Sequence, residues 1–128
     1  MATKTLANNN VVIINEGRLE FLKKFLSERD LYLGLYTQLS PTFNELTALN
    51  YERVFIPKYS WIFGDTEFSA YLNFPINFKA YENISGIKGF FIVDGVSRIY
   101  TDEFKTVTTG IDLAFEEYLT FYPKIRIY

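Results

Sequence analysis

Gly89-Phe90-Phe91-Ile92-Val93-Asp94-Gly95-Val96-Ser97-Arg98-Ile99-Tyr100 is the strongest local signal in the chain. β-Branched and aromatic residues run into Asp94-Gly95, a pair suited to a type I′ turn in which both central residues take positive φ. A two-residue loop there pairs Val93 with Val96, Phe91 with Arg98 and Gly89 with Tyr100 on one face. On the other face it sets Ile92 opposite Ser97 and Phe90 opposite Ile99, the latter contributing a few tenths to about 1 kcal/mol. Apolar groups on both faces predict a hairpin set centrally in its sheet. Just before it, Gly86-Ile87-Lys88-Gly89 lacks the following helix and the spacing of a phosphate loop, and reads as a bend entering the hairpin.

The period-two pattern continues outward in both directions. Leu31-Tyr32-Leu33-Gly34-Leu35-Tyr36-Thr37 places Leu31, Leu33 and Leu35 on one face and Tyr32, Gly34 and Tyr36 on the other. Arg53 to Ile56 is a short strand ended by Pro57. Tyr59, Trp61 and Phe63 alternate up to Gly64-Asp65, and Phe68, Ala70, Leu72 and Phe74 up to Pro75, with Ile76 and Phe78 beyond. Neither proline can donate to a ladder, so both mark strand ends or edges. After the hairpin, strands are expected at 104–109, 111–115, 118–122 and 124–128. The last alternates Ile125 and Ile127 with Lys124, Arg126 and Tyr128, an edge pattern with charge on its outer side. Gln38 to Asn50, which contains Pro41, reads as a long connection of the kind that is usually functional or interface-forming.

Helical periodicity occurs once. Leu19, Leu22, Phe25 and Leu26 form one apolar stripe on a helix over 16–27, capped by Asn15 with Glu16 in the first turn. Phe21 lies off the stripe and is expected to be half-buried. Residues 1–10 are polar and Asn-rich, so residues 1–14 read as an N-terminal arm ahead of one domain over 15–128. About eight short strands with one N-terminal helix predict a mainly β fold, an antiparallel β-sandwich that is jelly-roll-like. A parallel α/β fold would need helices between its strands. A single sheet with the helix over one face is the competing architecture.

Composition narrows the functions. The 128 residues are enough for one domain, and 48% hydrophobic against 22% charged residues exclude disorder as the default state. Formal net charge is −2, with no Lys/Arg stripe to steer the chain towards nucleic acid, so no nucleic-acid partner is expected. There is no cysteine and no histidine, which removes thiol nucleophiles, imidazole bases and thiolate or imidazole metal sites together. No metal and no cofactor is expected. Glu116-Glu117 and Asp102-Glu103 are adjacent carboxylates whose strand neighbours point to opposite faces, so neither pair converges for acid–base work, and no catalytic residue is assigned. Val11-Val12-Ile13-Ile14 is too short for a signal peptide's apolar segment, and no run is long enough to span a membrane; synthesis in the cytosol and no membrane partner are expected. The anomaly is aromatic content, 19%, with ten Tyr, thirteen Phe and one Trp. Phe filling a small core and Tyr lining interfaces accounts for most of it; Tyr and Trp stacking on sugar rings is the other reading.

In order along the chain, several segments carry a resemblance to a known family. They are the helix Glu16 to Ser27, the strand Leu31 to Thr37 opening into a proline-containing loop, Tyr51-Glu52-Arg53-Val54, and Trp61. After these come Gly89 to Asp94 with the return Ile99-Tyr100, and Val107 through Gly110-Ile111-Asp112-Leu113-Ala114-Phe115. This pattern resembles small tailed-phage virion structural proteins, the head decoration (cement) or minor tail proteins. Such proteins would carry a glycine just before Tyr51, where this chain has Asn50. The resemblance implies a virion component with a β-sandwich body, no enzymatic activity and no cofactor. Its partners would be the major capsid protein or other virion proteins, and it would form a homo-oligomer, with a trimer favoured.

In that role the candidate partner interface is Val11, Val12, Ile13 and Ile14, a β-branched segment suited to strand addition, with Phe43, Leu46 and Leu49, apolar residues on a loop without a periodic core role. A tail, baseplate or fibre-adaptor protein and a carbohydrate-binding module are the alternatives.

Overall fold

The computed structural model describes residues 15–64, 69–95, 97–104 and 110–126. One helix, α1 (Asn15–Ser27), precedes the strands β1 (Leu31–Gln38), β2 (Asn44–Glu45), β3 (Val54–Ile56), β4 (Trp61–Gly64), β5 (Ser69–Leu72) and β6 (Ile76–Lys79). They are followed by β7 (Ile84–Ile87), β8 (Gly89–Val93), β9 (Arg98–Glu103), β10 (Ile111–Leu113), β11 (Tyr118–Phe121) and β12 (Lys124–Arg126). The fold is mainly β with one N-terminal helix, as the alternation of the sequence requires. Pro57 and Pro75 stand immediately outside β3 and β6, where no ladder donor is needed.

Among the described residues every strand pairing is antiparallel. The largest sheet runs β2-β1-β8-β9, and β3 also pairs with β1. β8 takes one edge of β1, from Tyr32↔Val93 to Tyr36↔Gly89. The other edge is shared: β3 covers Leu31 to Leu33 and β2 covers Tyr36 to Gln38. Smaller sheets are β12-β5-β4, β11-β6 and β10-β7. One main core joins them. Leu31, Leu33 and Leu35 meet Ile56, Trp61, Ala70, Leu72, Ile76, Ile87, Phe90, Ile92, Leu113 and Ile125, and α1 adds Leu22 and Leu26 from its place against β4 and β5. Each fully buried leucine or isoleucine stabilises the fold by roughly 1.5–3 kcal/mol before entropy is counted. Phe25 is half-buried, while Phe21, expected to be half-buried, is 56% exposed.

Three local expectations are corrected. The 89–100 hairpin does not close on Asp94-Gly95 with Val93 opposite Val96. The Asp94 N–H donates to the Ser97 carbonyl at 3.2 Å and Val93 pairs with Arg98, so the turn is shifted along the chain and lies between Asp94 and Ser97. Of the Asp94-Gly95 pair only Gly95 has positive φ, +107°, so the type I′ geometry is not met. The register is Val93↔Arg98, then Ile92↔Tyr100, Phe91↔Thr101, Phe90↔Asp102 and Gly89↔Glu103, with an irregularity between Ile92 and Val93. The bulge lets the consecutive residues Ile99 and Tyr100 both pack against the main core, which a regular strand would not allow. β8 is buried throughout, as a central strand should be, but β9 lies at the end of the sheet.

Second, the segment read as a bend entering the hairpin includes the end of β7, where Ile87 is buried opposite Ile111. Third, the 38–50 connection is not free of structure, since β2 lies within it. The strand expected at 104–109 falls mostly outside the described residues, as do Phe68, Ile127 and Tyr128.

Candidate functional site

The returning loop after β1 is fastened to that strand by a side-chain clamp. The Leu46 N–H donates to the Leu35 carbonyl at 2.8 Å, and the Leu35 N–H donates to the Tyr51 hydroxyl at 2.9 Å. The Tyr51 hydroxyl in turn donates to Glu45 Oε2 at 2.8 Å. Arg53 grips the same carboxylate with two bonds, Nε to Oε2 at 3.0 Å and a terminal nitrogen to Oε1 at 2.8 Å. This fork geometry matches the two donors to the two oxygens. Gly34 makes room for it. A Cβ there would lie 2.5 Å from the Phe91 ring and 2.7 Å from the Tyr51 oxygen.

Burial alone would raise the Glu45 carboxyl, but the bonds from Arg53 and Tyr51, together with the Arg53 charge, hold it below the ordinary carboxylate range. Burial, ahead of every other influence, pushes the Tyr51 hydroxyl up, with Glu45 adding to the shift and the Leu35 amide opposing it. The hydrogen bond to Glu45 also raises Arg53. At neutral pH the clamp is therefore one ionised carboxylate, one guanidinium and one protonated phenol, none of them near its titration. Its chemistry is that of a strut.

Tyr51 is preceded by Asn50 at φ +60°. Asparagine is, after glycine, the side chain that best tolerates this left-handed region.

Above the clamp opens a cleft of about 370 Å³. Leu35, Leu46 and Leu113 form its apolar floor, and the Tyr51 ring stacks on Phe78 at 5.8 Å. The lining also includes polar and aromatic residues, Asn50 and Glu52 from the loop before β3 and Asn77, Lys79, Tyr81 and Tyr118 from β6, β11 and the segment after β6. Tyr81 is 41% exposed and Tyr118 61%. The Lys79 ammonium lies 5.3 Å from the centre of the Tyr81 ring and 5.9 Å from that of Tyr118.

The structure separates the candidate interface residues. Leu46 is 6% exposed in the main core, which corrects the reading of it as a loop residue without a core role. Phe43 packs on the outer face of the main sheet, edge-on to Phe91 at 5.0 Å and tilted against Tyr36 at 5.8 Å, with the Arg98 guanidinium 3.9 Å above its ring. Leu49 is 57% exposed at the cleft mouth, its N–H donating to Glu82 Oε1 at 3.2 Å. Val11, Val12, Ile13 and Ile14 lie outside the described residues. The cleft residues Lys79, Tyr81 and Tyr118 were not singled out from the sequence. The signal for two of them was present, since Lys79 and Tyr118 occupy the polar-side phase of two alternating strands.

Elsewhere, Phe21 and Phe25 of α1 border an apolar groove with Ile99, Tyr100 and Ile125. Tyr32 and Phe55 form an exposed cross-strand pair, ring centres 5.4 Å apart. Among the described residues no group of three or more His, Cys, Asp or Glu could hold a metal ion, and no helix is long and apolar enough to cross a membrane. No protein-family model, curated protein or solved structure matches the chain.

Proposed function

We propose that the chain is a non-enzymatic structural protein of a tailed-phage virion, a capsid decoration or cement protein that binds and stabilises the coat lattice. The observation that supports this reading is the distribution of exposed apolar surface. Phe21 on the helix, Tyr32 and Phe55 on β1 and β3, Ile62 on β4, and Phe115, Tyr118 and Tyr122 near the C-terminal strands are all solvent-exposed in the isolated chain. Subunits that work by packing against neighbours on several sides carry surface of this kind, and repeated weak contacts then add through multivalency. The clamp at Glu45, Tyr51 and Arg53 agrees with it, being built to hold a loop and not to move protons. The expected partners are the major capsid protein and further copies of this chain, in a trimer.

Quantitative mass spectrometry of purified virions tests the reading by the ratio of this chain to the major coat protein. Near-stoichiometric abundance is expected. A handful of copies per particle moves the protein to the tail, baseplate or fibre adaptor, and absence from the particle overturns the virion assignment.

A further inference from the structure

The cleft carries more chemistry than an assembly surface needs. On the β6–β11 ribbon the cross-strand pairs are Lys79 with Tyr118 and Asn77 with Thr120, and Tyr81 extends the row past the end of β6. Among the described residues no carboxylate pairs with Lys79. The Thr120 hydroxyl donates to Asn77 Oδ1, which leaves the N–H groups of that amide as donors. Two exposed tyrosine rings therefore flank the Lys79 ammonium, with Asn77 beside it on the same strand, at the edge of a concave site.

That combination of aromatic rings and donors selects the ligand class. An apolar protein surface pressed onto the row would strip water from an ammonium and a carboxamide without replacing their bonds. A nucleic acid would meet the carboxylate of Glu52, which lines the same cleft. A sugar ring answers both kinds of group: its C–H face lies on an aromatic ring while the hydroxyls around its edge bond to the donors and to Glu52. The cleft volume of about 370 Å³ falls at the lower end of the roughly 300–1,000 Å³ typical of small-molecule sites. Its floor is held rigid by the Tyr51 clamp, which lowers the cost of ordering the site on binding.

We propose that this cleft binds a saccharide, with Tyr81 and Tyr118 as stacking platforms and Lys79 and Asn77 as donors to its hydroxyl or carboxylate oxygens. The proposal stands on the cleft; it shares Tyr118 with the exposed surface that supports the virion reading, and Tyr81, outside that surface, separates the two. Neutral and carboxylated sugars share this chemistry, and Lys79 distinguishes them.

The full chain is applied to an array of neutral and carboxylated oligosaccharides, and the strongest ligand is titrated calorimetrically. Binding above background is expected, weakened about tenfold or more in Tyr118→Ala and in Tyr81→Ala, the scale of losing one stacking ring, with thermal melting unchanged. Lys79→Gln should weaken a carboxylated ligand far more than a neutral one. If Tyr118→Ala melts early, the exposed Lys79→Gln variant and Tyr81→Ala take its place. An array without signal, or a ligand bound equally well by the wild type and these variants, overturns the proposal.

Discussion

The two faces of β1 are shielded from water by different means. Leu31, Leu33 and Leu35 enter the core shared by the helix and the sheets, and all three are fully buried. On the opposite face Tyr36 and Phe91 are equally buried, but their cover is Phe43 on the returning loop, with the Arg98 guanidinium over Phe43 and that of Arg53 over Phe91. The first face needs only apolar volume from elements that pair through backbone ladders. The second depends on a connection fastened by side chains. Burial on the outer face is therefore conditional on the clamp, whereas burial on the inner face is not.

Chemical denaturation measures the contrast. Leu33→Ala should show the largest loss, about 2–5 kcal/mol, from lost transfer energy and a cavity that its neighbours cannot fill; a loss smaller than that of any outer-face variant would reverse the ranking of the two faces. Gly34→Ala comes next, at about 1–3 kcal/mol, because its new methyl group must displace the Phe91 ring or the Tyr51 hydroxyl. A fully stable Gly34→Ala protein would mean that the outer face is loosely packed. Phe43→Ala should remove about 1–2 kcal/mol and accelerate hydrogen exchange at the Leu46 amide while sparing the amides of β8. Uniform acceleration across both would show the two faces to be one cooperative unit.

The clamp adds a pH dependence. The folded-state pKa of Glu45 is lowered, so its stabilisation is fully present above the unfolded carboxylate value of about 4.3 and is lost as pH falls through the lower folded value. Glu45→Gln should therefore cost below about 1 kcal/mol at neutral pH. The difference from wild type should shrink in melts taken under acid conditions; a constant difference at every pH would show that the Glu45 charge is not what holds the loop. The smallest effect belongs to Asn50→Gly, which should change stability by only a few tenths of a kcal/mol, whereas its control Asn50→Val should lose about 1 kcal/mol for a β-branched residue at positive φ.

Much of the fold was legible residue by residue. The helix, the faces of β1, the strands bounded by Pro57 and Pro75 and the edge position of β12 all follow from periodicity and missing donors. The hairpin register was not, because an Asp-Gly pair does not by itself fix which positions close the turn, and the register adopted is the one that packs Ile99 and Tyr100 together. The cleft was legible only in parts. Tyr51 and Arg53 stood out as a segment, but Glu45 sits on a two-residue strand with no periodic signature, and 38 residues separate Lys79 of β6 from Tyr118 of β11.

By itself the sequence determined which residues avoid water and where strands must stop, since side-chain alternation and proline chemistry act within a few residues. It also excluded imidazole and thiol chemistry by lacking both groups. Only the tertiary structure decided that Leu46 fills the core while Leu49 stays exposed, that Phe43 roofs the second face of β1, and that Lys79 lies between Tyr81 and Tyr118. Those outcomes depend on which distant strands become neighbours, and strand pairing is settled by the packing of the whole core rather than by any local preference.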